Sequence, residues 1–337
     1  MTAIVLSHET ALDWWRRYGH GPAGEALGAG EAQAALASCR GKLHAALLKD
    51  VQRSPELCDL PVPLHVLSDT RGERRKTQLV HVHCMQTALP DGALIPVGRI
   101  ADDIDLLVSS PAFCFVQMAS QLGIWELAEL GYELCGHYVH TEQASGQARH
   151  DVLATPQELR AFAETASNLT GAKPARRIAK SVLAGSRSLE QTHVALLAHL
   201  PRSLGGMGAK PPSLEQSISA PDVVARLIGS RSLSPDLYWP DARIALEYDG
   251  RPAGSTSTAS DLAARKKSAY RMLGIEVILL DREQLDDLDG IEETFEHINR
   301  KCGTRLKPAN GKQRARQEAL LAWLREKRGA QQHTVRR

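Results

Sequence analysis

Residues 234–250 read SPDLYWPDARIALEYDG, and the reading of this stretch decides the fold of the C-terminal half. Aromatic and β-branched residues fill 235–239 and 243–248, which marks two short strands, and Pro240-Asp241 supplies the turn between them. Side chains alternate along a strand. Ile244, Leu246 and Tyr248 therefore point one way, and Ala245, Glu247 and Asp249 the other. Two carboxylates share a face, and Asp236 stands at the edge of the preceding strand. Grouped carboxylates repel one another unless a cation joins them, and a hard, oxygen-seeking ion such as Mg²⁺ is the usual partner.

Working outward, residues 189–200 read as a helix with Leu189, Leu196, Leu197 and Leu200 on one stripe. DVVARLI at 222–228 reads as a strand, 261–273 as a helix and 275–280 as a further strand. The order αβββαβ, with an acid on the second strand and Glu-x-Asp on the third, resembles the PD-(D/E)XK (restriction-endonuclease-like) superfamily. The similarity is to its very-short-patch-repair-like branch and covers residues 183–285. The resemblance implies an α/β fold and a metal-dependent DNA endonuclease, a hydrolase of phosphodiester bonds, with Mg²⁺ or Mn²⁺ as cofactor. Asp236 matches the first metal acid of the family and Glu247 the second. Tyr248 matches the residue whose carbonyl completes the metal site, and Glu190 an acid carried by the leading helix.

Two positions depart from that pattern. Asp249 stands where the catalytic lysine is usual, and the loop after EYDG reads RPAGST with no histidine before His297. Positive charge near the reacting phosphate then has to come from elsewhere. Lys266 lies four residues after Leu262 and seven before Leu273, on their inward stripe, and is expected to stand in, with Arg265 second. The same residues leave open a second reading: a nuclease-like fold that binds DNA without cutting it, or an antitoxin-type regulatory protein.

The chain has 337 residues, enough for two domains with their own cores. No apolar run approaches the ~18 residues of a membrane helix, so no membrane partner is expected. MTAIVLSHET has neither a basic start nor a long apolar segment, which reads as no secretory signal and a cytoplasmic protein. The cysteines at 39, 58, 84, 114, 135 and 302 lack CxxC spacing and read as reduced thiols. Residues 301–337 hold eleven Lys/Arg against two Asp/Glu, whereas the rest of the chain carries an excess of acid. A basic tail on an acidic body suits a polyanionic partner, DNA above all; a solvated tail is the plain alternative. A second copy of the chain or a cognate toxin-like protein is the expected further partner.

Four parts follow from this reading: a mixed α+β N-terminal domain over 1–150 with a regulatory or DNA-binding role, a helical linker over 151–185, a nuclease-like domain over 186–303, and a basic C-terminal helix or tail over 304–337. In the first, Ser7 is placed to cap a helix HETALDWWRRY that stops at Gly19. Trp14 and Trp15 are adjacent, so one is expected in the core and the other against a second domain. A helix is expected over 31–48, strands at 64–69, 78–85, 93–99 and 104–110, and helices from Pro111 to Gly123 and over 124–138. Thr155-Pro156-Gln157-Glu158 is a capping box, and 173–183 a short basic helix. His81, His83 and Cys84 in HVHC, with His137 and His140 in GHYVH, match no zinc spacing and read as ordinary structural residues. The opening segment resembles the N-terminal parts of bacterial proteins in which a small helical, strand-rich domain precedes such a module, as in antitoxin-type regulators of abortive-infection systems.

Overall fold

The computed structural model describes the chain except Met1 and residues 40–52, 55–56, 102–103, 141–146, 150, 251–256 and 336–337. The far half of the helix expected over 31–48 and the RPAGST loop lie outside the described residues. Two compact units make up the chain: Met1–Cys135 with His150–Val182, and Gly136–Arg149 with Leu183–Arg337. Both combine helices with sheet, and the fold is mixed α/β. Among the described residues no helix is long and apolar enough to cross a membrane. The six cysteines form no disulfide.

The first unit runs β1 (Thr2–Leu6), α1 (His8–Tyr18), α2 (Ala29–Ser38), β2 (Leu64–Ser68), β3 (Arg75–Lys76), β4 (Val80–Cys84), β5 (Leu94–Ala101), β6 (Ile104–Ser109), α3 (Pro111–Met118), α4 (Ile124–Leu134), α5 (Pro156–Thr165) and α6 (Ala172–Ala179). Its six strands form one mixed sheet in the order β3-β4-β2-β1-β6-β5. The strand β1 is an addition to the elements read from the sequence. It pairs in parallel with β6 and antiparallel with β2, and Ile4, Val5 and Leu6 are fully buried. A strand covered on both faces has no polar–apolar alternation to betray it.

Both tryptophans belong to the core of this unit: Trp14 and Trp15 are buried, with rings edge to face at 4.8 Å. The Trp15 indole donates to the Ser109 carbonyl at 2.8 Å, which ties that ring to β6 of the same unit. The segment expected as a linker belongs here too. Phe162 on α5 meets Phe113 on α3 with ring centroids 5.7 Å apart. The capping box forms as expected: Thr155 N–H donates to Glu158 Oε2 at 2.7 Å, and Glu158 N–H to Thr155 Oγ1 at 3.2 Å.

The second unit contains β7 (Tyr138–Val139), β8 (Gln147–Ala148), α7 (Leu189–His199), β9 (Ile218–Ser219), α8 (Asp222–Ile228), β10 (Ser232–Leu233), β11 (Leu237–Trp239), β12 (Ile244–Asp249), α9 (Ser257–Met272), β13 (Glu276–Asp281), α10 (Arg282–Asp286), α11 (Leu288–Lys301) and α12 (Gly311–Val335). Its three-stranded sheet has the order β11-β12-β13, with β11 antiparallel and β13 parallel to β12. DVVARLI is a helix, α8, and corrects the expected strand. Pro221 and Asp222 at its start, and Gly229 with φ of 71° at its end, bracket a short helix of about two turns that buries Val224. These stop signals outweigh the β-preference of two valines.

Alternation decides what the sheet presents. Tyr238 and Ala245 face a core shared with Val224, Leu233, Ala269, Tyr270 and Ile275. The opposite face carries Trp239, whose ring meets Phe295 on α11 at 6.4 Å. The basic segment is a docked helix rather than a separate tail. Leu320, Leu321 and Leu324 of α12 are buried, and buried Gln317 donates to the Gly206 carbonyl at 3.3 Å. Its arginines serve the unit itself: Arg314 pairs with Asp289 at 2.5 Å and with Glu292, Arg316 donates to the Ser203 carbonyl, and Arg325 and Arg328 hold Asp286.

Candidate active site

Pairing brings the acids together. Leu237 lies opposite Leu246 in the antiparallel ladder, so one step outward puts Asp236 beside Glu247 on the face that carries Tyr238 and Ala245. Asp236 Oδ2 accepts the Tyr248 N–H at 2.9 Å, which ties the end of one strand to the other. The N-terminus of α7 holds the chain on that course. The Gln191 amide, buried, donates to the main-chain carbonyls of Asp236 at 2.5 Å and Leu214 at 3.3 Å, and Arg187 donates to the Pro235 carbonyl at 2.9 Å.

Helix α9 covers this face and supplies the counter-charge. Lys266 Nζ lies 3.1 Å from Glu247 Oε2, and the Tyr270 hydroxyl donates to Glu247 Oε1 at 2.5 Å. Both oxygens of Glu247 thus have a partner. Burial and the adjacent Glu247 charge push the Tyr270 phenol far up, so it stays a donor. Burial, opposed by the Tyr248 N–H and reinforced by Glu247, raises Asp236 to about 6.

Glu247, Lys266 and Tyr270 open onto a cleft of about 560 Å³, bounded also by Asp249, Lys267 and Asp281; Asp236 stands beside Glu247 but is not among the residues that line it. Leu262 and Leu279, both substantially exposed, form an apolar wall to it. Asp249 is in register with Asp281 of β13, and both carboxylates line the cleft. The carboxylates of Glu247, Asp249 and Asp281 supply oxygen donors that fit a hard divalent cation.

Of the residues singled out from the sequence, Asp236, Glu247 and Lys266 converge, and of these Glu247 and Lys266 line the cleft together with Asp249; Asp236 does not line it. Tyr248 contributes its main chain there, while its ring lies among Arg328, Arg282, Asp286 and Glu190. Glu190, exposed in the first turn of α7, acts on that phenol and does not line the cleft. Arg265 is exposed and does not line it either. Tyr270, Gln191 and Asp281 were not legible as site residues. Tyr270 follows Lys266 by four positions and so shares its helix face, which was the one available signal.

No family model, no curated protein and no solved structure matches this chain.

Proposed function

We propose that this protein is a metal-dependent, endonuclease-like phosphodiesterase acting on DNA at the cleft beside Asp236 and Glu247. The observation that carries the reading is the meeting of two carboxylates, Asp236 and Glu247, with one helix ammonium beside an open cleft that Glu247 and Lys266 line. Asp236, Glu247 and the Tyr248 carbonyl are the groups that would hold Mg²⁺ or Mn²⁺. When bound, such an ion supplies Lewis acidity toward a phosphate oxygen and toward water. Lys266 already sits against the metal acid, so its ammonium is in place to offset charge that develops on the phosphate. Asp249 and Asp281 repel the DNA backbone along the cleft unless a cation screens them, which makes binding as well as turnover depend on the ion. The PD-(D/E)XK resemblance supports this assignment, with Lys266 in the role of the lysine missing at position 249.

A second reading is a DNA-binding or antitoxin-type regulator that keeps the fold and has lost cleavage. Glu247 favours it, because Lys266 and Tyr270 satisfy both its oxygens without a metal. Supercoiled DNA incubated with Mg²⁺ or Mn²⁺ separates the two. The nuclease reading expects nicking that stops with chelator and with Glu247→Gln. Retarded but uncut DNA, with the same affinity for both proteins, establishes the regulator instead.

A further inference from the structure

We propose that the first unit binds a divalent transition-metal ion of the Zn²⁺ class through His65, His81 and His83, with Glu9 as the carboxylate ligand. Strand pairing creates this cluster. His81 and His83 are alternate residues of β4 and share a face, and His65 on β2 is in register with His81. One ring nitrogen from each of the three lies within 4.8 Å of the others.

One pair of these nitrogens is already at the spacing of two ligands of one ion. His65 Nδ1 is 3.1 Å from His83 Nε2, close to the roughly 3.3 Å between two nitrogens bound at ~2.0–2.1 Å to a tetrahedral centre. Glu9 Oε2, on the first turn of α1, lies 2.5 Å from the same Nδ1. One imidazole proton cannot serve two acceptors at full strength, whereas a cation among the three atoms serves all of them.

The surroundings are built to keep the rings in place. His8 stacks on His83 with centroids 3.6 Å apart, and it does so with a φ of 48°, which side chains other than glycine rarely adopt. The His8 amide donates to Gln117 Oε1 at 3.1 Å and fixes that turn. Cys84 alternates to the other face of β4, opposite Ser68, and is no ligand. His137 and His140 belong to the second unit and take no part. Three imidazoles with one carboxylate select a borderline ion over Mg²⁺, so this site and the all-oxygen cleft differ in the ion they take.

Full-length protein stripped with chelator and titrated with Co²⁺ in excess Mg²⁺ tests the site. One Co²⁺ per chain is expected, with the visible bands of a tetrahedral complex and displacement by Zn²⁺. His81→Gln/His83→Gln lowers Co²⁺ affinity by ~100-fold or more, and Glu9→Gln by ~10–100-fold with altered bands. Glu247→Gln and Cys84→Ser leave both unchanged. Circular dichroism checks each variant, and His65→Gln replaces the double variant if that one does not fold. Absence of stoichiometric Co²⁺ from the wild type, or bands that survive loss of the histidines, overturns the proposal.

Discussion

Lys266 Nζ stands 3.1 Å from Glu247 Oε2 across nineteen residues of chain. The pair is partly exposed, so it adds only about 0.2–1 kcal/mol to stability, and its consequence is expected in chemistry. Lys266→Met should slow DNA nicking ~10²–10³-fold with DNA affinity and melting temperature nearly unchanged. Arg265→Met, on the exposed side of the same helix, should leave turnover within a factor of about two. Single-turnover cleavage and a binding titration on each variant check this. Equal loss from both substitutions would remove Lys266 from its role.

Asp236 is where site and stability oppose each other. Its folded pKa, about 6, lies above the ordinary 3.8, so the native state binds the proton more tightly. Stability therefore falls as pH rises from about 4 to about 6 and stays lowered above that. The upper bound on the effect is about 3 kcal/mol. Asp236→Asn keeps an acceptor for the Tyr248 N–H and removes the charge, so it should melt higher than wild type at pH 8 and alike at pH 4. Mn²⁺ binding to the cleft should weaken below about pH 6 in the wild type and be lost in the variant. Calorimetry at both pH values, with an Mn²⁺ titration, reads the two effects.

Truncation at residue 304 should unfold or strongly destabilise the second unit rather than merely remove positive charge. It strips off three buried leucines, 320, 321 and 324, each worth about 1.5–3 kcal/mol. Denaturant unfolding of the truncated chain tests this. Replacing exposed Lys307 and Lys312 by Gln should leave stability within about 0.5 kcal/mol. An unaltered unfolding midpoint in the truncated chain would mean the docked helix contributes nothing.

Gln191 holds the strand that carries Asp236 without lining the cleft. Gln191→Ala leaves the Leu214 and Asp236 carbonyls short of a donor and should cost about 1–3 kcal/mol. The Mn²⁺ affinity of the cleft should fall with it, and Gln191→Glu, which cannot donate to those carbonyls, should not restore it. A variant that loses stability but binds Mn²⁺ as tightly as wild type would make Gln191 purely structural.

Local periodicity was enough to read much of the site. Strand alternation put Glu247 and Asp249 on one face; Lys266 does reach Glu247, but Leu262, read as inward on the same stripe, is exposed. The Thr155 box marked a helix start because its two hydrogen bonds span only three residues. Local pattern fell short at two elements, for different reasons. The apolar β1 carries no alternation, and the valines of α8 turn helical between a proline and a glycine.

The sequence by itself determined which way side chains point within one strand or one helix, since that depends only on backbone geometry. Only the tertiary structure decided which of those side chains meet. Asp236 joins Glu247 through antiparallel register, and His65 joins His81 and His83 through a parallel one. The arginines of α12 are spent on Asp286, Asp289 and Glu292 because buried leucines dock that helix against its own unit. Register and docking are set by the packing of residues far apart in the chain. No short stretch of sequence carries that information.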